Sequence, residues 1–121
     1  MKLRLRGNSI RLRLTQSEVS RFRAKGRIEE SVRFGDNEPA FLYALEVGPV
    51  DSPAAKFEGG AIRIFIPEKH AREWIESEQV AIESPEGISP RVLIEKDFAC
   101  LEVRNGESDE DAFPNPLARA D

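Results

Sequence analysis

The 121-residue sequence predicts one α+β domain, in which two helices pack on a mainly antiparallel sheet of about eight strands. Two observations lead to this prediction. Apolar and polar residues alternate through most of the chain, as in strands, and two segments with helical spacing interrupt the alternation. The same order of segments occurs in both halves, which predicts a unit of strand, strand, helix, strand and strand used twice.

Residues in the first half of the chain match residues 52 positions later in the second half, and the first matched pair is Gly7 with Gly59. The other matched pairs are Asn8 with Gly60, Ile10 with Ile62, Arg11 with Arg63, Leu12 with Ile64, Leu14 with Ile66, Val19 with Ala71, Phe22 with Trp74 and Ile28 with Val80. These are turn, strand and helix-face positions, so we interpret the match as a duplication with pseudo-repeats at 1–50 and 53–103. Residues 1–106 then form a single domain, and residues 107–121 form an acidic tail that contains proline.

Each half begins with a predicted β-hairpin. Residues 7–8 (Gly-Asn) and 59–60 (Gly-Gly) are pairs favoured in two-residue turns. A turn at 7–8 also fixes which residues share a face of the hairpin. The pairs on the predicted core face are Leu5 with Ile10 and Leu3 with Leu12.

A helix follows each hairpin. Thr15 is the expected N-cap of the first helix, Glu18 completes a capping box, and Gly26 is a natural stop. The second helix is predicted to begin near Pro67, because proline is favoured in the first helical turn. Its apolar face consists of Ala71, Trp74 and Ile75.

Two more strands are predicted after each helix. They are residues 27–34 and 40–47 in the first half, residues 79–84 and 91–95 in the second, and 98–103 as an extension. A sheet of this size removes its exposed edges if it closes on itself. We therefore expect a strongly curved or barrel-like sheet, with a sandwich of two sheets as the alternative.

The net charge of −4 conceals an uneven distribution. Residues 1–33 contain ten basic and three acidic residues, residues 34–95 contain five and twelve, and residues 96–121 contain three and seven. The basic start and the acidic remainder either neutralise each other in the fold or leave a basic surface for an external anion.

The first hairpin carries five cations on the face opposite its leucines. The register places Arg4 opposite Arg11 and Lys2 opposite Arg13, with Arg6 nearby. Like charges across a strand pair are destabilising, so carboxylates of neighbouring strands, screening by solvent or a bound anion must offset them. The strand carboxylates available are Glu29, Glu46, Glu83, Glu95 and Glu102. The candidate anion-binding residues, called here the basic strand face, are Lys2, Arg4, Arg6, Arg11 and Arg13.

Common catalytic motifs are absent from the sequence. His70 and Cys100 are the single histidine and the single cysteine, and they lie far apart, so neither a zinc site nor a Cys–His pair has local support. There is no phosphate loop, no GxGxxG, no GxSxG and no HExxH. We therefore predict no catalytic residues, no metal site and no cofactor, and favour a protein that is not an enzyme.

The expected function is that of a non-enzymatic binding or protein-interaction module. The alternative is a protein that binds a phosphorylated small molecule, such as a nucleotide or polyphosphate, or a metal-dependent enzyme that uses the basic strand face. The direction in which the cationic side chains point distinguishes these two functions. A concave, water-accessible face with glutamates among the arginines favours phosphate binding, whereas an exterior face favours the interaction module.

The composition of the sequence bears on the cellular location of the protein and on membrane and nucleic-acid partners. No apolar run approaches the ~20 residues of a membrane span, and the N-terminal residues alternate charge with leucine, unlike a signal peptide. One cysteine suits a reducing compartment, so we expect a cytoplasmic protein with no membrane contact. The negative net charge and the few aromatic residues near the basic stretch argue against a nucleic-acid partner.

The tail contains one aromatic residue, Phe113, directly after the acidic residues Asp109, Glu110 and Asp111. One hypothesis is that Phe113 docks on an exposed apolar surface around Phe65 while the acidic residues approach the basic strand face. The same surface around Phe65 is the expected contact in a homodimer.

Three segments resemble a known family: KLRLRGNSIRLRLT at the start of the chain, EKDFACL at residues 95–101, and DAFPNP in the tail. In these segments the sequence is similar to a family of short bacterial proteins of unknown function. The resemblance implies a stand-alone bacterial cytoplasmic protein. It implies no activity and no functional residues.

Overall fold

The structure is a computed structural model that describes residues 1–37 and 40–97. The elements in this part of the chain are β1 (Lys2–Arg6), β2 (Ser9–Leu14), α1 (Gln16–Lys25), β3 (Arg27–Arg33), β4 (Ala40–Val47), β5 (Ala54–Glu58), β6 (Ala61–Ile66), α2 (Glu68–Glu76), β7 (Ala81–Glu83) and β8 (Arg91–Lys96). The predicted α+β class is confirmed, with eight strands and two helices among these residues. The expected extension at 98–103 and the tail lie outside the described residues.

The strands form two mixed sheets of four. Sheet 1 has the order β1-β2-β8-β7 and sheet 2 the order β3-β4-β6-β5. The outer pairs are antiparallel, while the central pairs, β2 with β8 and β4 with β6, are parallel. The prediction of one closed or strongly curved sheet is therefore wrong, and the two-sheet alternative is the arrangement found. The reason is that each helix carries the chain from one sheet to the other, so each sheet takes one hairpin from each half.

The two ends of the sheets differ in composition. Helices α1 and α2 begin where β2 and β6 end, and the parallel partners β8 and β4 end at the same edge, called here the helix end. The opposite edge carries the turns at 7–8 and 59–60 and is called the turn end. Gly59 and Gly60 both have positive φ, of 60° and 76°, as a type I′ turn requires.

The local predictions for the first hairpin and for α1 are confirmed. Leu5 pairs with Ile10, as expected from a turn at 7–8. The Thr15 hydroxyl accepts a hydrogen bond from the Glu18 N–H, and the Glu18 carboxylate accepts one from the Thr15 N–H at 2.8 Å, which is the capping box. Gly26 ends the helix in the left-handed conformation, with φ of 70°.

The hydrophobic core lies between the two sheets and is packed with side chains at the helix end. The largest side chains with no significant exposure are Trp74, Phe22, Leu12, Leu14, Leu45, Ile64, Ile66, Ile94 and Val92. Pro67 is the N-cap of α2, and the Trp74 ring that follows on this helix donates from Nε1 to the Val80 carbonyl at 3.0 Å. No helix in the described part of the chain has the length and apolarity needed to cross a membrane.

A buried charged cluster, which the sequence did not predict, surrounds the amino group of Met1. This ammonium contacts the Glu18 carboxylate and lies 2.8 Å from the Glu30 carboxylate. The Tyr43 hydroxyl donates to the Met1 carbonyl at 2.8 Å and to Glu30 at 3.1 Å. These contacts join the start of β1 to α1, β3 and β4.

Candidate functional site

The basic strand face lies on the outer side of sheet 1. Leu12 and Leu14 of β2 point into the core, so the alternate residues Arg11 and Arg13 point away from it. The register then places Arg4 beside Arg11 and Lys2 beside Arg13, as predicted, whereas Arg6 lies opposite Ser9. The structure therefore brings four of the five cations into one patch, on an exterior face.

A carboxylate borders this patch on the neighbouring strand β8. Glu95 of β8 is paired in register with Arg13, and its Oε1 accepts hydrogen bonds from Arg13 Nε at 3.1 Å and Nη2 at 2.9 Å. The same oxygen is 3.5 Å from Arg11 Nε. Lys2 Nζ is 3.6 Å from an Asp97 carboxylate oxygen. Three of the five cations are thus already offset by acidic side chains.

The remaining cations, Arg4 and Arg6, have no carboxylate within 4.0 Å among residues 1–37 and 40–97. The space between Lys2, Arg4, Arg11 and Arg13 is only about 30 Å³, roughly the volume of one water molecule in the liquid. A site of this size, with the Glu95 carboxylate beside it, is poorly suited to a phosphate group.

The charge pairing predicts different stabilities for two matched arginine variants. Arg13→Ala should lower the free energy of unfolding by about 1 kcal/mol, because it removes the paired hydrogen bonds to the half-buried Glu95. Arg4→Ala should change it by less than about 0.5 kcal/mol, since no described carboxylate contacts Arg4. Urea unfolding of both variants measures the difference, and equal losses would contradict the pairing.

The outer face of sheet 2 is ionic as well. Glu46 accepts hydrogen bonds from Arg63 Nε at 2.8 Å and Nη2 at 3.0 Å, and it is 3.4 Å from Arg27 Nε. The hydrogen bonds from Arg63 hold the pKa of Glu46 below its ordinary value, although burial opposes this. The Arg63 guanidinium also lies 5.0 Å from the centre of the Phe65 ring. Phe65 is therefore partly covered, and it does not provide the exposed apolar surface expected from the sequence.

The other expected carboxylates that the structure describes pair with arginines outside the basic strand face. Glu29 contacts Arg27 and Glu83 contacts Arg91, while Glu102 and Cys100 lie outside the described residues. His70 lies on α2 and is half-exposed. No group of three or more potential metal ligands occurs within the described ranges.

An apolar cleft of about 640 Å³ opens between the two sheets at the turn end. The side chains that form its walls are Leu5 and Ile10 of sheet 1, Phe57, Ile62 and Phe41 of sheet 2, and Phe34 after β3. Of the described residues that line the cleft, Lys56 alone carries a charge. This cleft is the candidate functional site.

The walls of the cleft consist of residues at core positions that are not covered. Leu5 pairs with Ile10 and Phe57 pairs with Ile62, so all four side chains lie on the inward faces of their hairpins. Leu5 nevertheless exposes 56% of its surface, Phe57 72% and Phe34 65%. The sheets are thus filled at the helix end and remain open at the turn end.

The sequence predicted the inward face of Leu5 but not its exposure. Exposure depends on how far apart the two sheets lie, which the alternation within one hairpin does not encode. One available signal was the position of Leu5 and Phe57, each close to a hairpin turn and far from any helix that could cover it.

The fold and the cleft define a class: a small α+β protein of two mixed sheets, with ionic outer faces and an apolar opening between them. The chain belongs to the DUF7009 family, a family of unknown function, whose model matches residues 1–117. This confirms the resemblance to a family of unknown function. Comparison with curated proteins and with solved structures found no significant match.

Proposed function

We propose that the protein is a non-enzymatic interaction module whose cleft binds an apolar segment of a partner protein. The observation that carries the proposal is the exposure of Leu5, Phe34 and Phe57 at inward-facing or cleft-lining positions. Contiguous exposed apolar surface of this kind is typical of binding sites. Covering one such side chain is worth about 1.5–3 kcal/mol, so two or three anchors are enough for measurable affinity.

The size and shape of the cleft favour a short peptide segment. Its volume of about 640 Å³ lies within the range of known ligand sites, about 300–1,000 Å³. Its lining includes residues of the edge strands β1 and β5. Aromatic and aliphatic side chains are the anchors that such apolar walls accept best.

The charges near the cleft favour carboxylates beside the anchors. Lys56 lies in the lining, whereas Arg4 and Arg6, the neighbours of Leu5 on β1, belong to the outer face of that strand. Charges at the rim of an interface mainly affect orientation and the rate of association. The proposed ligand is therefore an extended segment with an aromatic or aliphatic anchor next to acidic residues.

The phosphate-binding alternative has less support. Its five cations are on an exterior face, and Glu95 and Asp97 contact three of them. A bound phosphate would have to compete with these carboxylates for the same arginine donors. We place the protein in the cytoplasm, in agreement with its single cysteine.

We further propose that the two halves derive from one duplicated unit. The support is the matching strand order of the two sheets and the matching place of two carboxylates. Glu95 pairs with Arg13 and Glu46 with Phe65 at corresponding positions of the two parallel pairs. Each carboxylate also binds an arginine of the neighbouring hairpin strand.

A peptide selection tests the proposed function. Peptides selected from a random library on the full chain should contain an aromatic or aliphatic residue next to Asp or Glu. Phe57→Lys should weaken their binding at least about tenfold, a loss of about 1.4 kcal/mol, because it places a charge in the cleft. Fluorescence anisotropy with labelled peptides measures the affinity.

Val80→Lys is the matched control. Val80 is also an exposed apolar residue, at 50%, but it lies just before β7 at the helix end. This variant should leave the peptide affinity within about twofold of the native value, and both variants should keep the native melting temperature. Selected peptides that bind the Phe57→Lys chain as well as the native chain would disprove binding in the cleft.

A further inference from the structure

We propose that residues 112–117 of this chain, AFPNPL, occupy the cleft of the same molecule and act as an intramolecular competitor of the partner. The inference rests on the proposed function, because it assumes that the cleft binds apolar segments with acidic neighbours. It goes further by naming one occupant and by predicting that the free protein is self-inhibited.

The composition of this segment matches the walls of the cleft. Phe113 and Leu117 are apolar anchors, and Pro114 and Pro116 favour an extended backbone that loses little conformational entropy on binding. The described core leaves Leu5 and Phe57 uncovered at inward-facing positions. An apolar segment from the remainder of the chain would complete that core.

The charges next to the segment are complementary to those at the cleft. Asp109, Glu110 and Asp111 directly precede the apolar residues. At the cleft, the one charged residue among the described lining residues is positive: Lys56. Arg4 and Arg6 are neighbours of Leu5 along β1, but they belong to the outer face of that strand. The acidic residues can therefore approach Lys56 when Phe113 enters the cleft.

The chain is long enough to make this connection. Asp97 lies at the helix end of β8, and the turn end of that strand is about 20 Å away. Sixteen residues lead from Asp97 to Phe113, and an extended chain of that length reaches about 50 Å. The family model also ends at residue 117, the last residue of the proposed segment.

Attachment in the same chain makes the segment an effective competitor. Tethering a ligand to its site through a short linker gives an effective concentration in the millimolar range. A segment with an intrinsic dissociation constant of about 0.1 mM would then reduce the affinity for a partner about tenfold. The partner must displace the segment in order to bind.

The test compares full-length variants with the same labelled peptides used above. Phe113→Ala should increase peptide affinity about tenfold, because it removes the main anchor of the competitor. Asp109→Asn combined with Asp111→Asn, which removes charge but no apolar contact, should change the affinity in the same direction. Arg119→Ala is the matched control outside the segment and should leave it unchanged.

Two further measurements identify the occupant directly. In NMR spectra of the full chain, Phe113→Ala should shift the signals of Leu5 and Phe57 while leaving that of the core residue Trp74 in place. Arg119→Ala should shift none of them. The molar mass measured by light scattering should be that of a monomer at all concentrations.

Each outcome bears on one proposal. Unchanged peptide affinity and unchanged Leu5 and Phe57 signals in the Phe113→Ala chain would overturn the intramolecular occupant and leave the proposed function standing. A concentration-dependent doubling of mass that Phe113→Ala abolishes would show that the segment binds a second copy, which also overturns the proposal. If no peptide binds either the native or the Phe113→Ala chain, the proposed function itself fails.

Discussion

Glu18→Gln should lower the free energy of unfolding by about 3 kcal/mol, because it removes one partner of a buried ion pair. Glu18 is only 8% exposed, and its carboxylate holds the Met1 ammonium and caps α1 through the Thr15 N–H. Glutamine can keep the cap, since either side chain completes a capping box. The lost free energy of unfolding therefore reports the removal of the buried charge. Urea unfolding at pH 7 measures this loss.

The control for this variant is Glu68→Gln. Glu68 occupies the first turn of α2 and pairs with Arg72 at 2.6 Å, but both side chains are exposed. Exposed pairs at this spacing contribute about 0.3–0.5 kcal/mol. A loss for Glu18→Gln as small as that for Glu68→Gln would show that the amino group is not held in a buried pair.

The pKa values of the pair set the pH range of this stabilisation. Burial opposes the charged form of each group, but hydrogen bonds prevail: those between the two groups, those from Thr15 to Glu18, and that from Met1 to Glu30. The pKa of Glu18 is therefore lowered from 4.5 and that of the Met1 amino group is raised from 8.0. A lowered carboxyl pKa gives stability that is present above pH 4.5 and lost as the pH falls further. A raised amino pKa gives stability that is present below pH 8.0 and lost as the pH rises further. The gap between native and Glu18→Gln chains should therefore be widest between these limits.

Trp74→Ala should be the most damaging core substitution, with a loss of about 4 kcal/mol. The Trp74 ring is fully buried in the core at the helix end, and its removal leaves a large cavity. It also leaves the Val80 carbonyl without the 3.0 Å hydrogen bond from Nε1. Urea unfolding measures this loss, with the exposed Lys69→Ala on the same helix as the control. A loss below about 1.5 kcal/mol would contradict the role of Trp74 as the centre of the core.

The features that the sequence predicted correctly are local. The turn at 7–8, its register and the capping box at Thr15 and Glu18 each depend on residues within a few positions of one another. The partnership of Arg13 with Glu95 was predicted only in part, because the sequence supplied the carboxylate but not its strand neighbour.

The features that the sequence did not predict depend on distant pairing. The division into two sheets follows from the parallel pairs β2 with β8 and β4 with β6, which join strands from different halves. The cleft follows from that division, since two sheets packed at the helix end can remain apart at the turn end. The buried amino group of Met1 depends on β1, α1 and β3 meeting, and the coverage of Phe65 depends on the placement of Arg63.

The cleft, and not the basic strand face, is the proposed binding site. The most direct test is to titrate the isotope-labelled full chain with a selected acid-flanked apolar peptide, and separately with inorganic polyphosphate, and to map the NMR shifts. We expect saturable shifts from the peptide at Leu5, Ile10, Phe57 and Ile62, and none of comparable size from polyphosphate. Saturable shifts confined to Arg4, Arg11 and Arg13, with polyphosphate as the ligand, would contradict binding in the cleft.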